Sequence, residues 1–183
     1  MIVLGITGPI GSGKDAVSDY LQENHGFKTF SCGDVIRRIA DEEDVEPNRE
    51  NLQIIGKKYR RKRGEGFLAG KAADIIKESK TEKIAVSGLR NPEEIERLRE
   101  EFGDSFKLVH VHASKKTRFR RLGKRGRTGD PTDYEDFLQQ DTSEKKKFNM
   151  NSTFSMADIK INNEDTLEKL YGRIDKLVKG LKE

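Results

Sequence analysis

The sequence predicts an α/β fold, a mainly parallel sheet covered on both faces by helices, with all 183 residues in one domain. Three observations predict it. Five short apolar segments have strand character, the stretches between them carry helical periodicity long enough for crossovers, and no Pro-, Ser- or Gly-rich linker divides the chain.

The strand segments are 2–7, 27–32, 83–87, 106–112 and 157–161. Helices are expected over 13–24, 34–43, 48–63, 65–80, 92–102 and 164–182. Asn91 as N-cap, Pro92 at the first helical position and Glu94 reaching back mark the start of the fifth. Leu167, Leu170, Tyr171, Ile174, Leu177, Val178 and Leu181 recur on one face of the last, as core packing requires. In such sheets ligands bind beyond the carboxyl ends of the strands, so the residues just after each strand carry the functional argument.

Behind the first strand stands Gly8-Pro9-Ile10-Gly11-Ser12-Gly13-Lys14-Asp15, a phosphate-binding loop of the form GxxxxGK. Gly8, Gly11 and Gly13 free the backbone so that successive N–H groups converge on a polyphosphate. Lys14 brings a cation to the β/γ-phosphates, and the helix that follows points its positive end at them. The usual loop ends in a hydroxyl that ligates Mg²⁺, but here Asp15 is followed by Ala16. Asp15 is either a hard-cation ligand or a first-turn residue stabilised by the helix dipole.

After strand two, Gly33 permits a turn, Asp34 can cap the next helix and Arg37 lies one turn on; after strand three comes Arg90. Arginine is the natural bidentate partner of phosphate, so this pair marks an acceptor edge. Arg118, Arg121 and Arg125 fall at i, i+3 and i+7 on one helical face and can converge on a single anion, while Gly123, Gly126 and Gly129 make the segment able to move. A mobile arginine-bearing flap over a phosphate loop serves phosphoryl transfer by excluding water and neutralising charge.

The segment from Leu4 to Lys14 resembles the opening of dephospho-coenzyme A kinases, and Ala157-Asp158 through Ile161-Asn162-Asn163 to Leu167 is similar to that family's final strand and adenine-side loop. Gly33-Asp34-Val35-Ile36-Arg37 looks more like the acceptor corner of adenylate kinases. With Gly88-Leu89-Arg90-Asn91-Pro92 and the stretch 125–131, the mixture resembles an uncharacterised archaeal group of adenylate-kinase-like P-loop proteins. The resemblance implies a three-layer P-loop NTPase fold with a five-stranded sheet and Mg·ATP as donor. It places Lys14, the loop residues 8–16, Arg125 and Asn162 on ATP, and Asp34, Arg37 and Arg90 at the acceptor within helices of about 34–80. A lid of about 115–147 then carries Arg118, Arg121 and Arg125. Adenylate kinases have an acidic residue acting on Mg²⁺ at the position of Ser87, so hydroxyl and carboxylate have exchanged places if Asp15 and Ser87 share the metal.

The expected activity is ATP-dependent transfer of the γ-phosphoryl group to the ribose hydroxyl of dephospho-coenzyme A or to the phosphate of a nucleoside monophosphate. A hydroxyl acceptor needs a base, for which Asp34 is the candidate, whereas a phosphate acceptor is already an anion. The rival is an ATPase switch that contacts RNA through Lys57 to Arg63, although neither this run nor Lys145-Lys146-Lys147 has the interleaved aromatics of a stacking platform. His110 and His112 share a strand face without a third zinc ligand and read as packed residues. The net charge of +4 suits anionic small molecules, the single Cys32 excludes an internal disulfide, and no apolar run or leader marks a membrane or export path; a cytoplasmic protein is expected.

Overall fold

The computed structural model describes residues 1–127 and 129–181; Thr128, within the 125–131 stretch, and Lys182, the expected end of the last helix, lie outside. Among the described residues the chain runs β1 (Ile2–Thr7), α1 (Lys14–His25), β2 (Lys28–Ser31), α2 (Cys32–Glu42), α3 (Arg49–Arg63), α4 (Phe67–Glu78), β3 (Lys83–Leu89) and α5 (Pro92–Phe102). After a 3₁₀ turn (Gly103–Ser105) follow β4 (Phe106–His112), α6 (Lys115–Arg125), α7 (Tyr134–Lys147), α8 (Met150–Ser155), β5 (Ile159–Asn162) and α9 (Leu167–Gly180).

The sheet has the order β2-β3-β1-β4-β5 and every pairing is parallel. β1 therefore lies between β3 and β4, with the chain crossing first to one side and later to the other, so the loop after β1 opens at the switch point where such sheets bind ligands. Side-chain alternation sends Val3, Ile84, Val86 and Leu108 to one face, under α2, α4 and α5. Leu4, Ile6, Val109 and Val111 pack on the other against Val17 and Leu21 of α1 and Leu170, Ile174 and Val178 of α9. Each such fully buried aliphatic side chain contributes about 1.5–3 kcal/mol.

Several boundaries differ from expectation for local reasons. Helix α2 begins at Cys32 rather than 34, because Ser31 is extended (φ −117°, ψ 159°) and its hydroxyl caps the helix by accepting from Asp34 N–H. Gly33 thus supplies no turn, and Asp34 is the reciprocal partner in a capping box instead of the cap itself. The Asn91–Pro92–Glu94 start is found as expected, with both capping-box bonds. Leu167 departs from the α9 stripe: as first residue of the helix it projects past the sheet and is 57% exposed. The expected helices include neither α7 nor the short α8.

Candidate active site

Loop and lysine come first. Thr7, buried at the end of β1, donates its hydroxyl to Leu89 O at 2.7 Å and ties β1 to β3 where the loop departs. Two loop positions admit only glycine. A Cβ on Gly8 would lie 2.4 Å from Val111 O, and Gly13, at φ 96°, would put one 2.3 Å from Asn163 Nδ2. Lys14 folds back over the loop and donates to Gly8 O (2.6 Å) and Pro9 O (3.0 Å). Burial first, then the charge of Arg90, lowers its pKa to about 8, with Arg118 adding to the fall and Glu144 and Asp15 opposing it. The site therefore holds a cation short of negative charge. Ser12 Oγ is buried beside it without a hydrogen-bond partner among the described residues.

The three arginines of α6 do not converge on one anion, which corrects the sequence expectation. Arg118 is 1% exposed and turned inward: its guanidinium forks onto Asp141 at 2.7 and 3.0 Å, and it also donates to Ile10 O and Ala113 O, both at 3.1 Å. Lys145 also donates to Asp141 Oδ2, at 2.8 Å. Arg118 thus braces the phosphate loop from below. Arg121 reaches Asn163 Oδ1 at 3.3 Å. Arg125 is paired with Asp130, and the nearby Arg127 lies 3.8 Å from Asp15, with both side chains largely exposed. This last contact is the link between the segment after α6 and the first turn of α1.

Asn162 and Asn163, at the end of β5, lie in different surroundings. Asn162 is exposed at the end of β5, whereas Asn163 is buried and donates to Ser12 O at 2.9 Å, clamping the loop from the β5 side. Adjacent residues of an extended chain face opposite ways, which separates the two.

At the edge expected to hold the acceptor, both carboxylate oxygens of Asp34 accept hydrogen bonds. Oδ2 accepts from Ser31 N–H and Ser31 Oγ, both at 2.8 Å, and Oδ1 accepts from Arg37 at 2.7 Å. Burial raises its pKa, but the Ser31 bonds and Arg37 outweigh that and hold the carboxyl below its ordinary range. Arg90, 44% exposed, points its guanidinium at Glu144 of α7 at 3.3 Å, while its backbone N–H donates to Glu94 at 2.7 Å. Ser87 is buried on β3 opposite Ile6, and Asp15 stands exposed beside the loop. His110 stacks on Phe154 (centroids 4.2 Å) and, chiefly through burial and then the neighbouring His112, is pushed down to about 4, a neutral packed imidazole. Sequence reasoning missed Asp141, Asn163, Glu144 and Phe148. Only the Asp141/Lys145 spacing of i, i+4 was a readable signal.

Known proteins resemble this arrangement in sequence and in fold. The AAA domain family matches residues 4–147. A UPF0200 protein of Methanothermobacter thermautotrophicus is 33% identical over 183 residues, covering 100% of this chain and 92% of its own. That of Pyrococcus abyssi is 32% identical over 184 residues, covering 98% and 96%. TT1252 from Thermus thermophilus superposes with a TM-score of 0.68 at 19% identity, over 98% of this chain and 97% of its own. Shikimate kinase from Acinetobacter baumannii, a complex with shikimate, gives 0.61 at 15% identity, over 98% and 94%. At such identities these structures speak to the fold alone, and that fold is the P-loop kinase one. With its phosphate loop, its β2-β3-β1-β4-β5 sheet and relatives matched over 92% and 96% of their own length, the chain belongs to the UPF0200 family, within the AAA domain family of P-loop proteins.

Proposed function

We propose that the protein is an ATP-dependent kinase that transfers the γ-phosphoryl group to a nucleotide-like acceptor. The observation that carries this reading is Lys14, held in the loop with its pKa at about 8 by burial and by Arg90. Lys14 at the start of α1 and Arg90 just after β3 bring two positive charges to the same side of the loop, where a transferring phosphate would be stabilised by both.

The state of Asp34 favours an acceptor phosphate over an acceptor hydroxyl. A carboxylate engaged on both oxygens and held below its ordinary range is a poor base, and only the hydroxyl requires one. In this reading the acceptor helices are those between 34 and 80 and the lid is 115–147, with Arg125 and Arg127 its exposed cations and Asn162 on the adenine side. The cytoplasm is the expected setting. No helix of the described residues is long and apolar enough to cross a membrane. The basic run of α3 is divided, Lys58 being tied to Glu43 and Arg60 turned inward, which weakens it as an RNA surface.

Mg²⁺ fits the donors present. It retains most of its waters and takes phosphate oxygens as ligands, so it needs no cluster of three His, Cys, Asp or Glu residues, and none exists among the described residues. The exposed Asp15 carboxylate beside the loop would hold it together with Ser87. Bound there, the ion would supply neutralising charge for the phosphates.

Steady-state kinetics of Arg90→Ala test the proposal. The acceptor KM should rise, kcat should fall, or both, by about tenfold or more, while ATP binding without acceptor changes little. Lost ATP affinity with unchanged acceptor kinetics would reverse the assignment of the two edges.

A further inference from the structure

Arg60 lies in the middle of a run of basic residues, yet its side chain is only 14% exposed. It turns from α3 toward the end of β3. Its guanidinium carbon stands 5.3 Å from the centroid of Phe148, and that of Arg90 stands 5.2 Å from the same ring. Phe148 caps the C-terminus of α7 and so gathers a guanidinium from α3 and another from β3 onto one aromatic side chain.

The partners of Arg60 are poor. Its Nη2 is 3.5 Å from Glu94 Oε1 and its Nε is 3.6 Å from Glu65 Oε2, against about 2.7–2.9 Å for a good charge-assisted hydrogen bond. Both Arg60 Nε and Glu94 Oε1 are buried without a hydrogen-bond partner among the described residues. Glu94 is fully buried, its other oxygen fixed by the N–H groups of Arg90 and Asn91, so it can anchor Arg60 but cannot move to meet it. An unsatisfied buried donor of this kind is costly unless something else uses it. Arg90 is similarly held by Glu144 at 3.3 Å, and the charge of Arg90 reaches Lys14. Lys14, Arg90 and Arg60 thus form a series of cations leading from the phosphate loop to α3.

We propose that Arg60 is a substrate-binding residue that completes, with Arg90 and on the support of Phe148, an oxyanion clamp for the acceptor, and that the acceptor is a phosphomonoester. This rests on the kinase reading above. It adds a residue to the arginine pair 37 and 90, of which Arg37 is already bonded to Asp34, and narrows the acceptor phosphate to a monoester.

The test is calorimetric titration of the wild type, Arg60→Gln and Arg60→Lys, each saturated with a non-hydrolysable Mg·ATP analogue. The probes are the phosphomonoesters AMP, CMP, GMP and UMP, with adenosine as the phosphate-free control and dephospho-coenzyme A, whose phosphates are joined in a diester, as the control that lacks a monoester. At least one phosphomonoester should bind the wild type, Arg60→Gln should weaken it by about ten- to a hundredfold, and Arg60→Lys should weaken it less. Affinity for the ATP analogue should be unchanged in both variants, which also shows that they fold. Equal binding of the phosphomonoesters by wild type and Arg60→Gln would overturn the role of Arg60 while leaving the kinase reading intact. Binding of none of them by the wild type would overturn the acceptor class, and failure of the wild type to bind the ATP analogue would overturn both.

Discussion

Lys14→Ala should lower phosphotransfer by about three orders of magnitude in a protein that still folds. The side chain lies over the loop and donates only to two loop carbonyls, so its removal costs the fold little and the donor site its principal cation. The same residue gives a pH signature. With its pKa lowered to about 8, Lys14 is half protonated at pH 8, and polyphosphate raises that pKa by stabilising the charged form. ATP binding at pH 8 should therefore take up about half a proton, falling toward none near pH 6, where Lys14 is already charged. Titration calorimetry in buffers of different ionisation enthalpy measures the uptake. It should vanish in Lys14→Ala, and uptake that persists there would assign the proton to another group.

Asp141→Ala should be the most destabilising single change predicted here. It leaves the Arg118 guanidinium buried, with its fork unanswered and the Lys145 charge beside it. Breaking a buried pair from one side costs about 3–5 kcal/mol, or on the order of 10 °C in Tm for a domain of this size. The double variant Arg118→Met/Asp141→Leu should regain much of that stability, because it removes both charges and fills the space. It should nevertheless bind ATP more weakly, since Arg118 also holds Ile10 O of the loop. Melting curves and nucleotide titrations on the three proteins separate the two effects.

The parts of the site legible in the sequence are those whose physics is local. The phosphate loop needs glycines at fixed offsets between a strand and a helix, and the Asn91–Pro92–Glu94 start is a pattern of four residues. The strand order was not readable, but the alternation of strands with helices was enough for a parallel sheet. Where the reading failed, the deciding partner was distant. Spacing put Arg118, Arg121 and Arg125 on one helical face, but Asp141, 23 residues on, decided which way Arg118 turned. Arg60 was hidden in a charge run because only Phe148 and Glu94, brought in from other elements, give it a direction.

The central claim is that the site delivers phosphate to an acceptor and not to water. Its most direct test incubates the protein with Mg·ATP labelled at the γ-phosphate, together with dephospho-coenzyme A and the common nucleoside monophosphates, and separates the products. Label should appear in a nucleoside diphosphate and be absent when Lys14 is replaced by Ala. Label released only as inorganic phosphate, at a rate raised by RNA and with no phosphorylated small molecule, would contradict it.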